Sequence, residues 1–143
     1  MTAMRAIPNV GIGTVIVRHG KLLLMKRRSA MGHQSWSTPG GYLEFGESPA
    51  SCAKREAQEE VGYQGGDFSF LALTNDIFEE RHFVTIWMIA SADPAWEVTN
   101  ISEEVMETGW FPARELPTPL FKPFLNLVTG LSEPATAFSE RFG

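Results

Sequence analysis

Residues 41–63 read Gly41-Tyr42-Leu43-Glu44-Phe45-Gly46-Glu47-Ser48-Pro49-Ala50-Ser51-Cys52-Ala53-Lys54-Arg55-Glu56-Ala57-Gln58-Glu59-Glu60-Val61-Gly62-Tyr63. Ser48-Pro49 marks a helix start. A serine hydroxyl accepts from the exposed amides of the first turn, and proline fits the first helical position, where no N–H is needed. Gly62 marks the stop. Between them Ala50, Ala53, Ala57 and Val61 fall on one helical stripe, and their small side chains predict close packing against a sheet. At roughly 100° per residue, Glu56, Glu59 and Glu60 stand at i, i+3 and i+4 and share a face bordering that stripe. Three carboxylates thus gather at the rim of the core, where mutual repulsion raises their pKa values unless a cation is present.

A solvated charged face is the ordinary explanation of such a cluster. Two features oppose it here. Apart from Arg55, the only cation within helical reach is Lys54, which points elsewhere. A Gly-rich segment, Pro39-Gly40-Gly41, also precedes the helix, and such backbone can approach a phosphate closely. Hard carboxylate oxygens suit Mg²⁺ or Mn²⁺. Such an ion offsets the negative charge of a phosphoanhydride and activates a water for attack.

Outward from the helix, Val10 to Val17 and Leu22 to Met25 read as strands joined at Arg18-His19-Gly20-Lys21 into a hairpin. Phe68 to Thr74 and Phe83 to Ala92 read as further strands, with Asn75 to His82 joining them. Trp110-Phe111-Pro112 reads as a short strand. A last helix is expected over Leu120 to Thr129, with Pro123 confined to its first turn. Residues 131–143 read as a loose tail that Phe138 and Phe142 could dock. Strands and helices mix without strict alternation, which implies α/β (α+β) architecture: a mixed-sheet sandwich with helices outside.

The chain has 143 residues, 43% of them apolar, which suits a single domain over 1–143 with a core that needs no disulfides. The net charge of −5 argues against a sequence-independent grip on a nucleic acid polymer. A small nucleotide is still allowed, because bound metal can supply positive charge. Cys52 is the only cysteine, so no intrachain disulfide forms, and it reads as a small buried residue. No segment has the order of a signal peptide or the roughly 20 apolar residues of a membrane span. The expectation is a cytoplasmic protein without membrane contact.

Gly41, Glu47, Arg55, Glu56, Glu59, Glu60 and Gly62 match every fixed position of the Nudix box, G-x5-E-x7-R-E-U-x-E-E-x-G-U, where U is a bulky aliphatic residue. The chain therefore resembles the Nudix hydrolases. Ala57 and Tyr63 depart from the pattern at U positions, which concern helix packing. The resemblance implies a Nudix-type α/β/α sandwich around a mixed sheet, with the box as a loop–helix–loop. It implies metal ligation by Glu59 and Glu60, joined by the carbonyl of Gly40. Glu56 would be a ligand, or would orient or deprotonate the attacking water. Arg55 would orient the glutamates, and Glu47 would support the loop. Many members add an acidic residue from a late loop. Asn100-Ile101-Ser102-Glu103-Glu104 offers two, and Glu103 is the choice by its distance from Trp110-Phe111, with an exposed loop charge as the alternative.

The flanks, Trp36 to Glu47, His82 to Met88 and Trp110-Phe111-Pro112, are similar to the short MutT-related nucleoside triphosphate diphosphatases. That similarity implies cleavage of a (deoxy)nucleoside triphosphate to a monophosphate and pyrophosphate, with Mg²⁺ or a substituting Mn²⁺. Hydrolysis of a nucleotide sugar or dinucleotide of the ADP-ribose type is the second reading. A proline expected about sixteen residues past the box in ADP-ribose enzymes is missing from Ile77-Phe78-Glu79-Glu80. A non-catalytic nucleotide-binding domain is the third, and the intact set of glutamates opposes it. The resembling enzymes build their base pocket at positions that here are Ser37, Thr38, Thr85, Phe121, Lys122 and Phe124. Phe121 and Phe124 read either as base-stacking rings or as core. Lys26, Arg27 and Arg28 read either as phosphate contacts or as a solvated strand end. Small family members often pair, so a homodimer is compatible with the chain.

Overall fold

The hairpin signal around His19-Gly20 is the first element to appear in the computed structural model, which describes residues 7–99 and 102–143. Strand β1 (Asn9–Arg18) turns into β2 (Lys21–Arg27) through His19 and Gly20, whose φ angles of 51° and 74° suit a two-residue hairpin. Two short strands follow, β3 (Trp36–Ser37) and β4 (Gly40–Tyr42). Helix α1 (Pro49–Val61) leads to β5 (Ser69–Phe78), β6 (Arg81–Ser91), β7 (Val105–Pro112), α2 (Lys122–Val128) and α3 (Ala137–Phe142). Among the described residues the strands form one sheet in the order β3-β2-β1-β6-β5, with β4 on β1 and β7 on β2. β1 and β6 run parallel from Asn9↔Phe83 to Val17↔Ser91, and the other pairings are antiparallel. The sheet is therefore mixed, as expected.

Alternation along the strands sends apolar side chains to both faces. Leu23, Ile12, Ile16 and Met88 pack beneath Ala53, Ala57 and Val61 of α1. Leu22, Leu24, Val15 and Trp87 pack with Phe124 and Leu127 of α2 and Phe138 of α3. Helices on both faces make the three-layer arrangement. The two unusual box residues fit this packing. Ala57 is fully buried, and Tyr63, 2% exposed, donates its hydroxyl to the carbonyl of Gly66 at 2.7 Å.

Three expectations need correction. Asn75 to His82 is not a loop: the strands continue to a two-residue turn at Glu79 and Glu80, with φ of 49° and 59°. Buried hydrogen bonds of Asp76 hold that stretch in the sheet. The strand around Trp110 begins five residues earlier, at Val105, because β2 pairs with it along its length. Residues 131–143 are not loose. Glu133 pairs with Leu73, and Ala137 and Phe138 are buried against α2 and the sheet.

Candidate active site

Helix α1 is fixed at both ends. The Ser48 hydroxyl accepts from the Ser51 amide at 3.1 Å, and the Ser51 hydroxyl accepts from the Ser48 amide at 3.2 Å. Gly62 ends the helix with a φ of 66°, where a side chain would be strained. Thr14 fixes the preceding loop: its amide and hydroxyl both donate to the Pro39 carbonyl, at 2.9 and 2.6 Å. This places Gly40 and Gly41 directly over the helix.

Glu60 turns inward and is 4% exposed. Its Oε1 accepts from the Gly40 amide at 2.8 Å, while Oε2 is buried without a hydrogen-bond partner among the described residues. Burial pushes the Glu60 carboxyl up to about 8; the charges of Glu56 and Glu104 add to this, and the Gly40 amide and Arg27 oppose it. The Glu56 carboxylate lies against Gly41, in the space a Cβ there would fill. Burial raises its pKa too, against the pull of Arg55.

Arg55 ties the acidic groups together. Its Nε and Nη2 form a bidentate pair with Glu47 at 2.7 and 2.9 Å, and its Nη1 reaches Glu56 at 2.9 Å and Glu59 at 3.4 Å. These bonds hold Glu47 down at about 2 and raise the already high pKa of Arg55 further. Lys54 indeed points away, toward Asp67 at 3.8 Å.

The cluster forms one wall of a cleft of about 900 Å³, a volume suited to a nucleotide-sized ligand. Arg55, Glu56, Glu59, Glu60, Gly40, Glu103, Thr38, Thr85, Arg27 and Phe121 all line it. Residues from six separate stretches of chain are thus brought together. Phe124 is the exception: it is fully buried between Trp87 and Phe138, with ring centroids at 6.0 and 6.3 Å, and cannot stack on a ligand. Its partner Phe121 faces the cleft, with the Arg27 guanidinium 3.9 Å from its ring centre. Arg27 also donates to the Met31 carbonyl and the Ser29 hydroxyl, both at 3.1 Å, and its burial lowers its pKa. Lys26 leaves the site for Glu107, at 4.0 Å.

Of the late acidic loop, Asn100 and Ile101 lie outside the described residues, while Glu103 and Glu104 both line the cleft. The charge of Glu104 acts on Glu56, Glu60 and Arg27. Sequence spacing alone could not separate two adjacent glutamates. Phe83 and Arg81 were also missed as lining residues. The alternation Phe83, Thr85, Trp87 along β6 would have shown the first, since Thr85 was already assigned to that face.

The donor set suits a hard divalent cation. An orphaned, buried carboxylate oxygen on Glu60, whose charged neighbours include Glu56 and Glu104, is the arrangement a cation relieves. No group of three or more His, Cys, Asp or Glu side chains among the described residues is already drawn together closely enough to hold a metal. Glu56 and Glu59 are instead paired with Arg55. Mg²⁺ commonly takes only one or two carboxylates and fills its shell with water and substrate phosphate.

A family model of the NUDIX domain matches residues 7–128. The chain belongs to the Nudix hydrolase family. The structure of a MutT NUDIX hydrolase from Burkholderia pseudomallei superposes with a TM-score of 0.79 at 30% identity, over 85% of this chain and 96% of that one. The 8-oxo-dGTP diphosphatase of Escherichia coli is 35% identical over 75 residues, which are 51% of this chain and 57% of that protein. The Nudix domain of Shewanella oneidensis NrtR, solved with ADP ribose, shares the fold at a TM-score of 0.70 and 18% identity, over 87% of this chain and 86% of that one. This Nudix chain spans about half the length of several curated relatives it matches. Members of the family generally use divalent metal ions. Among the described residues no helix is long and apolar enough to cross a membrane.

Proposed function

We propose that this Nudix domain, spanning the chain as one unit, hydrolyses a (deoxy)nucleoside triphosphate to a nucleoside monophosphate and pyrophosphate with Mg²⁺, for which Mn²⁺ can substitute. The observation that carries the reading is Glu60: a buried carboxylate with an unpartnered oxygen, on a cleft wall that also holds Glu56 and Glu59. Glu59, Glu60, Glu56 and the carbonyl of Gly40 would hold the ion. When bound, it neutralises phosphate charge and lowers the pKa of water.

The chain's own residues do the rest. Glu56, as a ligand of the ion or beside it, would orient the attacking water or take its proton. The water oxygen bonds to phosphorus as the bridging oxygen leaves with pyrophosphate. Arg55 orients Glu56 and Glu59 through the bonds described. Arg27 supplies positive charge within the cleft, near Glu60 and Glu104, and Phe121 beside it would contact the base. Glu103 and Glu104 are acidic groups that can join the site from the late loop.

Turnover of a panel of nucleoside triphosphates, ADP-ribose and UDP-sugars with Mg²⁺, followed by chromatography of the products, tests the reading. Monophosphate and pyrophosphate from at least one triphosphate are expected. Exclusive cleavage of ADP-ribose or UDP-sugars would replace the triphosphate, and no turnover by folded protein would remove the enzymatic reading.

A further inference from the structure

Behind the cleft wall lies a buried carboxylate that sequence reasoning did not single out. Asp76 on β5 is fully buried and accepts three hydrogen bonds. Thr74 Oγ1 and Thr85 Oγ1 donate to its Oδ2 at 2.9 and 2.6 Å, and Asn126 Nδ2 donates to its Oδ1 at 2.8 Å. One end of the network forces its direction. The Trp87 indole can only donate, and it donates to Thr74 Oγ1 at 2.9 Å. Thr74 therefore sends its own proton to Asp76. A carboxylate is acceptor-only, so Thr85 also gives up its single proton to Asp76. What Thr85 then offers the cleft is a lone pair.

Thr85 lines the cleft beside Gly11, which has no side chain to cover it. A second, independent sign comes from Thr38. It is 3% exposed, lines the same cleft, and its hydroxyl has no hydrogen-bond partner among the described residues. A buried hydroxyl left unpaired is costly, and a polar ligand group in the cleft would relieve it.

We propose that Asp76 is a specificity-positioning residue, which locks Thr85 as a hydrogen-bond acceptor and so selects a nucleotide whose base presents an exocyclic NH₂ donor there. The inference rests on the nucleotide reading above. An ordinary threonine hydroxyl rotates to suit either a donor or an acceptor. A locked one rejects a ligand acceptor, since two lone pairs would face each other with no proton between them.

Calorimetric binding of matched nucleoside 5′-monophosphates that differ by one donor tests it: GMP against IMP, AMP against purine riboside monophosphate, CMP against its analogue lacking the 4-amino group. The wild-type chain is expected to bind the donor-bearing member of at least one pair about tenfold more tightly. Thr85→Val keeps the shape and removes the lone pair, and should narrow that ratio to about twofold or less. Asp76→Leu frees the Thr85 hydroxyl and should narrow the same ratio; if that variant does not fold, Thr85→Val carries the test. A merely structural role would weaken both members equally and leave the ratio unchanged. Binding of nucleotides without preference in any pair, or a wild-type ratio in Thr85→Val, overturns the inference alone. Failure to bind any monophosphate and to hydrolyse any triphosphate overturns the nucleotide reading, and the inference with it.

Discussion

In the metal-free protein the Glu60 carboxyl keeps its proton up to about pH 8, while its ordinary value is 4.5. The folded chain therefore binds more protons than the unfolded chain between those values, and this contribution to stability is lost as pH rises through the window. Glu47 has the opposite sign but acts lower, between about 2 and 4.5. The melting temperature in EDTA should fall from pH 6 to pH 8.5, and Mg²⁺ should restore it at the higher pH. Glu60→Gln should flatten that pH dependence in differential scanning fluorimetry and remove most turnover; a variant that keeps both the wild-type slope and the wild-type rate would refute the role given to Glu60. The need for Glu60 was legible in the sequence, because its spacing and motif position place it. Its inward turn was not, because the Gly40 amide that holds it comes from a strand twenty residues earlier. Asp76 was illegible for the same reason: its partners Thr85 and Asn126 are distant in sequence and meet only across β6 and α2.

At the level of the element, α1 was the most readable part of the molecule, since its cap, stripe and stop are all local signals. Gly62→Ala would force an alanine into a left-handed conformation beside the Thr99 hydroxyl, and a loss of about 1–2 kcal/mol in urea denaturation is expected. Arg55→Ala releases Glu47, Glu56 and Glu59 together. Turnover should drop about 10- to 100-fold, mainly in kcat. Lysine should rescue it poorly, because one ammonium cannot reproduce the bidentate pair with Glu47. Unchanged kinetics in Arg55→Ala would show that the glutamates orient themselves. The β5–β6 hairpin was less readable. Asn75, Asp76 and the charges at Glu79 to Arg81 look like a loop in sequence, but the β5–β6 ladder continues through them, with Asp76 anchored by buried hydrogen bonds.

Across the whole molecule, the mixed sheet and its two covered faces followed from patterning, whereas the docking of the C-terminal segment did not. Six residues make too short a helix to announce itself, and its anchor, Phe138, finds its place against Phe124 only in three dimensions. Phe138 is spent on its own core, so it is not available to pair two copies of the chain. Phe138→Ala should cost about 3 kcal/mol by denaturant unfolding, and a neutral result would mean that α3 does not contribute to the core. The cleft, too, belongs to this scale, since it exists only where α1, β6, the late acidic loop and the start of α2 converge. Its chemistry is tested most directly by ³¹P NMR of a nucleoside triphosphate incubated with the protein and Mg²⁺. Growth of nucleoside monophosphate and pyrophosphate signals, abolished by EDTA and by Glu60→Gln, is the expected result; release of orthophosphate and nucleoside diphosphate, or no change in any triphosphate, would contradict it.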